Sequence, residues 1–183
     1  MMNIKNRSEN DREVKANIVK LEISDLDDIV RLQDFIIEGI EDKQIFARTN
    51  REEFISYFEG NSYLVGIRLI ETGKLVALGV YVNDGLKEAN YGYDLDYLKE
   101  DILKTGQIEI TIVHPDFRGN RLQDILCKKL IEVSKVNGDK YLTATVSPYN
   151  KHSLSNFLKA DFKNKKEKLK YGGVLRCILE YKH

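Results

Sequence analysis

The chain has 183 residues, a length typical of one domain, and its 29 basic and 29 acidic side chains leave no net charge at pH 7. Hydrophobic residues make up 42% and charged residues 32%, which argues against overall disorder or a fibre. A neutral chain gives no electrostatic case for dedicated nucleic-acid binding, and no apolar run approaches the roughly 20 residues of a membrane helix. We therefore expect neither nucleic acid nor membrane as a partner.

The cysteines and the first residues bear on location and metal content. Cys127 and Cys177 lie far apart and form no CxxC pair, and there are only three histidines, so we expect no metal site and a reduced, cytoplasmic protein. The polar segment 1–16 lacks the apolar core of a signal peptide. It is predicted as a flexible lead to a single domain over 17–183.

Apolar periodicity predicts the elements of the first half of the chain. Ser24-Asp25 and Asn50 are typical helix N-caps, and Thr72-Gly73 is typical of a hairpin turn. In chain order the predictions are a strand over 18–23, a helix over 25–38, a helix over 51–58, and two hairpin strands over 63–70 and 74–82.

The second half begins with an unusual stretch. Residues 86–105 combine three tyrosines with four acidic side chains at 91–101, which predicts a partly helical insertion with a wet aromatic face. The remaining predictions are a strand over 107–113, a helix over 121–136, a strand over 141–146, a helix over 151–160, and two closing strands, near Phe162 and over 171–181, joined through a lysine-rich turn. Because strands and helices do not alternate strictly, we expect a mixed α+β domain.

The segment 110–126 is the most informative part of the sequence. A strand leads into a turn rich in backbone donors, and a helix follows at once. The free N–H groups and the dipole at a helix N-terminus bind phosphate groups. Gly119 permits a close approach to the backbone, and Arg118 and Arg121 add positive charge. Taken alone, the pattern is equally typical of a plain strand-to-helix connection.

The residues from Val113 to Gln123 read V-H-P-D-F-R-G-N-R-L-Q and resemble motif A of the GNAT superfamily of N-acetyltransferases, Q/R-x-x-G-x-G/A. Arg118 matches the first position, whereas Arg121 replaces a glycine and Gln123 replaces Gly or Ala. In that family the backbone amides of this loop hold the pyrophosphate of acetyl-coenzyme A. The resemblance implies cofactor contacts by Ile112, Val113, Arg118, Gly119, Asn120, Arg121, Leu122 and Gln123.

A second motif lies after the next strand. Asn150, Ser153 and Phe162 match the family pattern N-x-x-[AS]-x-x-x-Y-x-x-x-G-F, while Phe157 replaces the tyrosine and Asp161 the glycine. The resemblance implies that Asn150, Ser153 and Phe157 also contact the cofactor. The element order from 17 to 181 resembles the GNAT fold, a central mixed, mostly antiparallel sheet flanked by helices.

The family chemistry requires a base, an oxyanion donor and an acid for the leaving thiolate. Glu109 lies on the strand that enters motif A, where family carboxylates act as bases; the alternation of Ile108-Glu109-Ile110 fits a solvent-facing side chain equally well. The backbone N–H near Val113 resembles the family's oxyanion donor. Phe157 cannot donate the proton that the family tyrosine gives. Tyr149, another tyrosine or solvent would have to replace it.

The remaining features are less specific. The acidic, tyrosine-rich insertion is interpreted as a contact for a cationic acceptor, a lid or a dimer surface. The lysine cluster over 163–170 is typical of a solvated turn, and otherwise of a contact for an acidic partner or RNA. His114 fits a structural turn, and Cys127 and Cys177 fit the core.

The leading hypothesis is an N-acetyltransferase that moves an acetyl group from acetyl-coenzyme A to a primary amine by direct attack in a ternary complex. The alternative is a sensor or scaffold that binds acyl-coenzyme A with little or no transfer. The acceptor is not identified by the sequence. Dimers are frequent in the family, and a homodimer stays open.

Overall fold

The computed structural model describes residues 1–183, the side chain of Lys43 excepted. Eight strands form one sheet in the order β1-β2-β3-β4-β5-β6-β8-β7. The strands are β1 Met2–Asn6, β2 Arg12–Lys20, β3 Ser62–Leu69, β4 Leu75–Val82, β5 Thr105–Val113, β6 Tyr141–Val146, β7 Lys163–Lys170 and β8 Val174–Lys182. The helices are α1 Leu26–Glu38, α2 Arg51–Glu59, α3 Lys99–Ile102, α4 Leu122–Val136 and α5 Lys151–Lys159.

Every neighbouring pair of strands is antiparallel except β5 and β6. The expected mixed, mostly antiparallel sheet flanked by helices is therefore confirmed. The long helices and central strands begin and end within two residues of their predicted positions, because their caps and apolar periods are local signals. Among the described residues, no helix has the length and apolar character needed to cross a membrane.

Two apolar cores lie on opposite faces of the sheet. Helix α4 and helix α5 cover one face, where Leu126, Leu130 and Phe157 pack among side chains of the strands. Helix α1 and helix α2 cover the other face, where Ile29 and Phe54 are fully buried. The central strand β4 is buried along its whole length, since it contributes side chains to both cores.

Strand β5 changes its facing at Glu109. Ile110 pairs with Val80 and Ile108 pairs with the adjacent Tyr81, so Glu109 is the extra residue of a β-bulge. As a result Ile108 packs in the core beside α4, whereas Ile110 packs in the core beside α1 and α2. Regular alternation would have placed both isoleucines on one face.

The N-terminal segment differs from the flexible lead that its composition predicts. It forms β1 and most of β2, paired from Met2↔Ala16 to Asn6↔Arg12, and β2 continues the sheet beside β3. Ile4 and Ala16 are buried in the core. Polar or charged residues occupy the alternate positions, so only every second residue carries the apolar signal.

The lysine-rich segment also differs from its prediction as a turn. It forms the edge strand β7, which pairs with β8, and the turn is made by Tyr171, Gly172 and Gly173, all with positive φ. The strand is exposed on both faces. Lysine side chains on an edge strand discourage pairing with another chain, which explains a strand without an apolar face.

Candidate active site

A cleft opens where β5 and β6 separate. The two strands pair in parallel only from Thr105↔Tyr141 to Ile108↔Ala144, and then part. The space beyond has a volume of about 180 Å³ and is lined by the ends of both strands, by α5 and by the segment between α1 and α2. Open sheets typically bind ligands at the carboxyl ends of parallel strands, so we take this cleft as the candidate active site.

Backbone donors of β5 face the cleft. The N–H of His114 donates to the carbonyl of Val76 at 2.8 Å, which makes Val113 and Ala77 a pair without hydrogen bonds between them. In such a pair each residue's N–H points away from the partner strand. The N–H groups of Val113 and, two residues earlier, Thr111 therefore point to the side where β6 has left, as an oxyanion donor near Val113 would require.

The bulge directs Glu109 into the cleft rather than to an open solvent face. Its carboxylate accepts hydrogen bonds from the Tyr91 hydroxyl at 2.7 Å and from the Gln107 amide. Loss of solvent raises the pKa of Glu109 to about 7; those two hydrogen bonds oppose the shift, and the charges of Asp84 and Glu53 add to it. The carboxylate can therefore exchange a proton near neutral pH.

A chain of hydroxyls runs from Glu109 across the cleft. The Tyr91 and Tyr171 hydroxyl oxygens lie 2.7 Å apart, and the Tyr171 oxygen lies 2.9 Å from Oγ1 of Thr145 on β6. Burial raises the pKa of Tyr171, and the charge of Glu109 raises it further, so its hydroxyl stays protonated at neutral pH. Tyr171 also lines the cleft. Tyr171 is therefore a potential proton donor in the cleft, whereas Phe157, at the position of the family tyrosine, has no hydroxyl.

The loop before α4 has the backbone that its sequence predicts. Gly119 has φ +87°, and apart from Gly119 and its two chain neighbours no atom of the described residues lies within 4 Å of the position that a Cβ would occupy. Arg121 takes the left-handed conformation, with φ +58°, directly before the helix begins at Leu122. Arg118, Gly119 and Arg121 are exposed. The loop is thus open to a ligand at the N-terminus of a 15-residue helix.

Asn120 joins this loop to the N-terminal strand. The N–H of Lys5 donates to Oδ1 of Asn120 at 2.8 Å, and the Asn120 amide donates to the carbonyl of Lys5 at 2.8 Å and of Phe117 at 3.0 Å. The side chain therefore holds the loop against β1 and leaves contact with a ligand to the backbone. The sequence offered no signal for this contact, because the residues lie 115 positions apart.

Gln123 ties the two sides of the cleft together. Its amide donates to Oγ1 of Thr111 at 3.1 Å and to Oγ of Ser153 at 2.9 Å, and its oxygen accepts from Asn156 at 2.7 Å. Asn150 caps α5 by accepting from the N–H of Ser153 at 3.2 Å. The predicted cofactor residues of the two motifs thus meet each other directly.

The other predicted residues divide between cleft and core. Asn150, Ser153 and Phe157 line the cleft, and Phe157 also packs edge-on against Phe162 at 5.1 Å. Ile112 and Leu122 are buried in the two cores. They position the strand end and the helix N-terminus through the backbone.

Three further residues considered from the sequence have no part in the proposed acetyl transfer. Tyr149 is 60% exposed and does not line the cleft. His114 stacks on Phe35 at 4.5 Å, and burial lowers its pKa, in keeping with a structural role. Asp94 of the insertion pairs with Lys168 at 2.7 Å and with Lys170, so the lysines of β7 neutralise one of the acids that the acceptor-contact interpretation of the insertion relied on.

Sequence reasoning missed Tyr171 and Arg176, which line the cleft, and Tyr91, whose hydroxyl contacts both Glu109 and Tyr171. Tyr91 lies in the insertion, and its partners are 18 and 80 residues away. Tyr171 precedes two glycines, a pattern that marks a tight turn but does not indicate what the turn faces. Arg176 alternates with apolar residues in β8 and gives no separate signal.

No family model matches the sequence, and no curated protein matches it. Solved structures do match, and they establish the fold: the chain has the fold of the GNAT acetyltransferases. The fold that the sequence resemblance implies is therefore confirmed.

Three of these neighbours illustrate the match. A GNAT-family acetyltransferase from Streptococcus pneumoniae has a TM-score of 0.70 and 14% identity, over 92% of this chain and 100% of its own. An N-acetyltransferase from Staphylococcus aureus has a TM-score of 0.68 and 18% identity, over 92% and 98%. A Salmonella typhimurium protein, solved with its cofactor acetyl-CoA, has a TM-score of 0.68 and 13% identity, over 92% and 94%.

The backbone of the loop predicts opposite effects for glycine at its two arginines. Arg121→Gly relieves a left-handed conformation and should raise the free energy of unfolding by about 1 kcal/mol. Arg118 is extended, with φ −65°, so Arg118→Gly should lower the free energy of unfolding by about 0.5 kcal/mol through chain entropy. Urea unfolding of both variants measures the difference. Equal shifts in one direction would show that the conformation of Arg121 does not cost stability.

Proposed function

We propose that the protein is an N-acetyltransferase that moves the acetyl group of acetyl-CoA to a primary amine by direct attack in a ternary complex. One observation carries the proposal: the cleft between β5 and β6 brings a carboxylate with a pKa near 7 beside backbone donors of the same strand, at the N-terminal end of α4. The catalytic domain would comprise the predicted domain over 17–183 together with the N-terminal hairpin.

The residues around the cleft fit acetyl-CoA. Backbone N–H groups from Arg118 to Gln123 and the two exposed arginines would meet the pyrophosphate. Asn150, Ser153 and Phe157, with the end of β5, would receive the arm that carries the thioester. Bound there, acetyl-CoA supplies an activated acyl group with a thiolate as leaving group.

The chain's own groups can balance the reaction. The C–N bond forms as the C–S bond breaks; Glu109 accepts the proton that the amine loses, and the Val113 N–H donates to the thioester oxygen as charge develops on it. Tyr171 gives the proton to the leaving sulfur. Because Tyr91 lies 2.7 Å from both Glu109 and Tyr171, the proton on Glu109 can return along the hydroxyls and restore Tyr171.

One observation favours the alternative of an acyl-CoA sensor. Gln123 stands where the family pattern has a small residue, and its hydrogen bonds tie Thr111 to Ser153 across the cleft. A ligand arm that passes this point must displace them. A sensor would bind acyl-CoA without acetylating any amine of a broad panel, whereas the transferase releases a thiol with each acetylation.

Cofactor binding can be tested at Gly119. Calorimetry should show micromolar binding of acetyl-CoA and coenzyme A, and Gly119→Val should weaken it at least about tenfold, because a side chain there blocks the approach to several N–H donors. Gly73→Val is the matched control, since Gly73 has φ +69° and equally open surroundings in a distant turn. Wild-type affinity in Gly119→Val would contradict the phosphate loop, and no binding by the wild type would contradict the function.

The base can be tested by pH. A carboxylate acts as base only when ionised, so kcat should be flat above pH 7 and fall about tenfold per pH unit below it. Glu109→Gln should lower kcat more than about tenfold, abolish that inflection and leave coenzyme A affinity unchanged. Glu132→Gln, on the outer face of α4, is the control. An unchanged pH profile in Glu109→Gln would remove Glu109 from the base role.

The acid can be tested by removing one hydroxyl. Tyr171→Phe keeps the ring and the backbone of the turn, and should lower kcat about 100-fold with little change in the KM for acetyl-CoA. Tyr149→Phe is the control, since its hydroxyl is outside the cleft. Loss of activity in Tyr149→Phe but not in Tyr171→Phe would show that Tyr149, and not Tyr171, donates the proton to the leaving sulfur.

A further inference from the structure

The cleft contains a buried positive charge that the proposed chemistry does not use. Arg176 on β8 is 3% exposed and lines the cleft. One of its amino groups donates to the carbonyl of Leu175 at 2.9 Å, and its guanidinium lies 5.6 Å from the centre of the Tyr171 ring. These contacts fix its position and leave further donors of the guanidinium available to the cleft.

No carboxylate of the described residues forms an ion pair with Arg176. Its pKa is lowered by burial, and Tyr171 and Tyr91 oppose this shift. Arginine is seldom fully buried without an anionic partner, because removing its charge from water is strongly unfavourable. Such a charge, aimed into a cleft, calls for an anion supplied by a ligand.

The anion does not belong to the cofactor's phosphates. Cys177 and Leu179 pack in the core beside α4, and Arg176 alternates with them along β8. Arg176 therefore lies on the sheet face opposite α4, whereas the phosphate loop leads into α4. The anion must come from the molecule that enters the cleft from the other face, which is the acceptor.

We propose that Arg176 binds a carboxylate of the acceptor, and that the acceptor is a small amino-acid-like molecule whose amine meets Glu109. The planar guanidinium fork matches the two oxygens of a carboxylate. The cleft volume of about 180 Å³ suits a small metabolite rather than a protein segment. The identity of the acceptor rests on the proposed transfer, but the carboxylate site does not.

The site is tested first by binding, without turnover. Ligand-observed NMR would measure the affinity of N-acetyl derivatives of the twenty L-amino acids, the expected products, and of their carboxamides. The wild type should bind at least one acid at least about tenfold more tightly than its amide, the loss expected when a charged hydrogen-bond partner is removed. Arg176→Gln should abolish that preference, and Arg176→Lys should keep part of it as a point charge.

A control and a readout of folding keep the test decisive. Lys163→Gln removes an exposed positive charge from the neighbouring strand and should leave the preference intact. Thermal unfolding shows whether each Arg176 variant is folded. Equal affinity for acids and amides in the wild type would overturn the proposal, as would tighter binding of inorganic phosphate than of any carboxylate.

Turnover separates this proposal from the proposed function. With acetyl-CoA, the wild type should acetylate an amino acid with a kcat/KM at least about tenfold above that of its carboxamide, and Arg176→Gln should raise the KM for the acid alone. If neutral amines were acetylated equally well, the proposed transferase activity would be supported and the carboxylate site at Arg176 would be contradicted. If acids bound through Arg176 but acetyl-CoA did not bind, the carboxylate site would be supported and the transferase activity would be contradicted.

Discussion

The site depends on the separation of β5 from β6. Each of these strands has an antiparallel partner along its length, β4 for one and β8 for the other, while their mutual pairing spans four residues. Because the longer ladders hold each strand on its own course, the twist of the sheet opens a gap beyond Ile108 and Ala144. Backbone donors that would otherwise complete a sheet are left facing a ligand-sized space. Glu109 and Tyr171, the proposed base and acid, both line that space.

The bulge at Glu109 makes the gap chemically useful. One extra residue directs a carboxylate into a partly dry cleft and reverses the facing of the rest of β5, so that Ile110 and Ile112 seal the core beside α1 and α2. Loss of solvent then raises the pKa of Glu109 to about 7. The sequence Ile108-Glu109-Ile110 cannot reveal this, since a regular strand and a bulged strand read alike. The register of the neighbouring strand decides between them.

Local signals made much of the fold predictable. Asn50 caps α2 as expected, and the break at Pro115 and the helix from Leu122 follow from backbone chemistry within a few residues. The contacts that complete the site are not local. Tyr91 and Tyr171 form a hydrogen bond although they lie 80 positions apart in the sequence. Asn120 bonds to β1, a strand whose polar positions hide its apolar pattern from sequence analysis. Motif resemblance located the loop and the helix, but not the hydroxyls of Tyr91 and Tyr171 beside Glu109.

The opposite charges of Glu109 and Arg176 indicate that one ligand contacts both sides of the cleft. Glu109 and Arg176 both lose solvent, yet no ion pair forms between them. A buried carboxylate and a buried guanidinium that do not pair with each other are each stabilised by an opposite charge that a ligand supplies. A ligand with an amine at one end and a carboxylate at the other supplies both charges at once. Tyr171 lies between the two groups, with its hydroxyl in the chain to Glu109 and its ring beside Arg176.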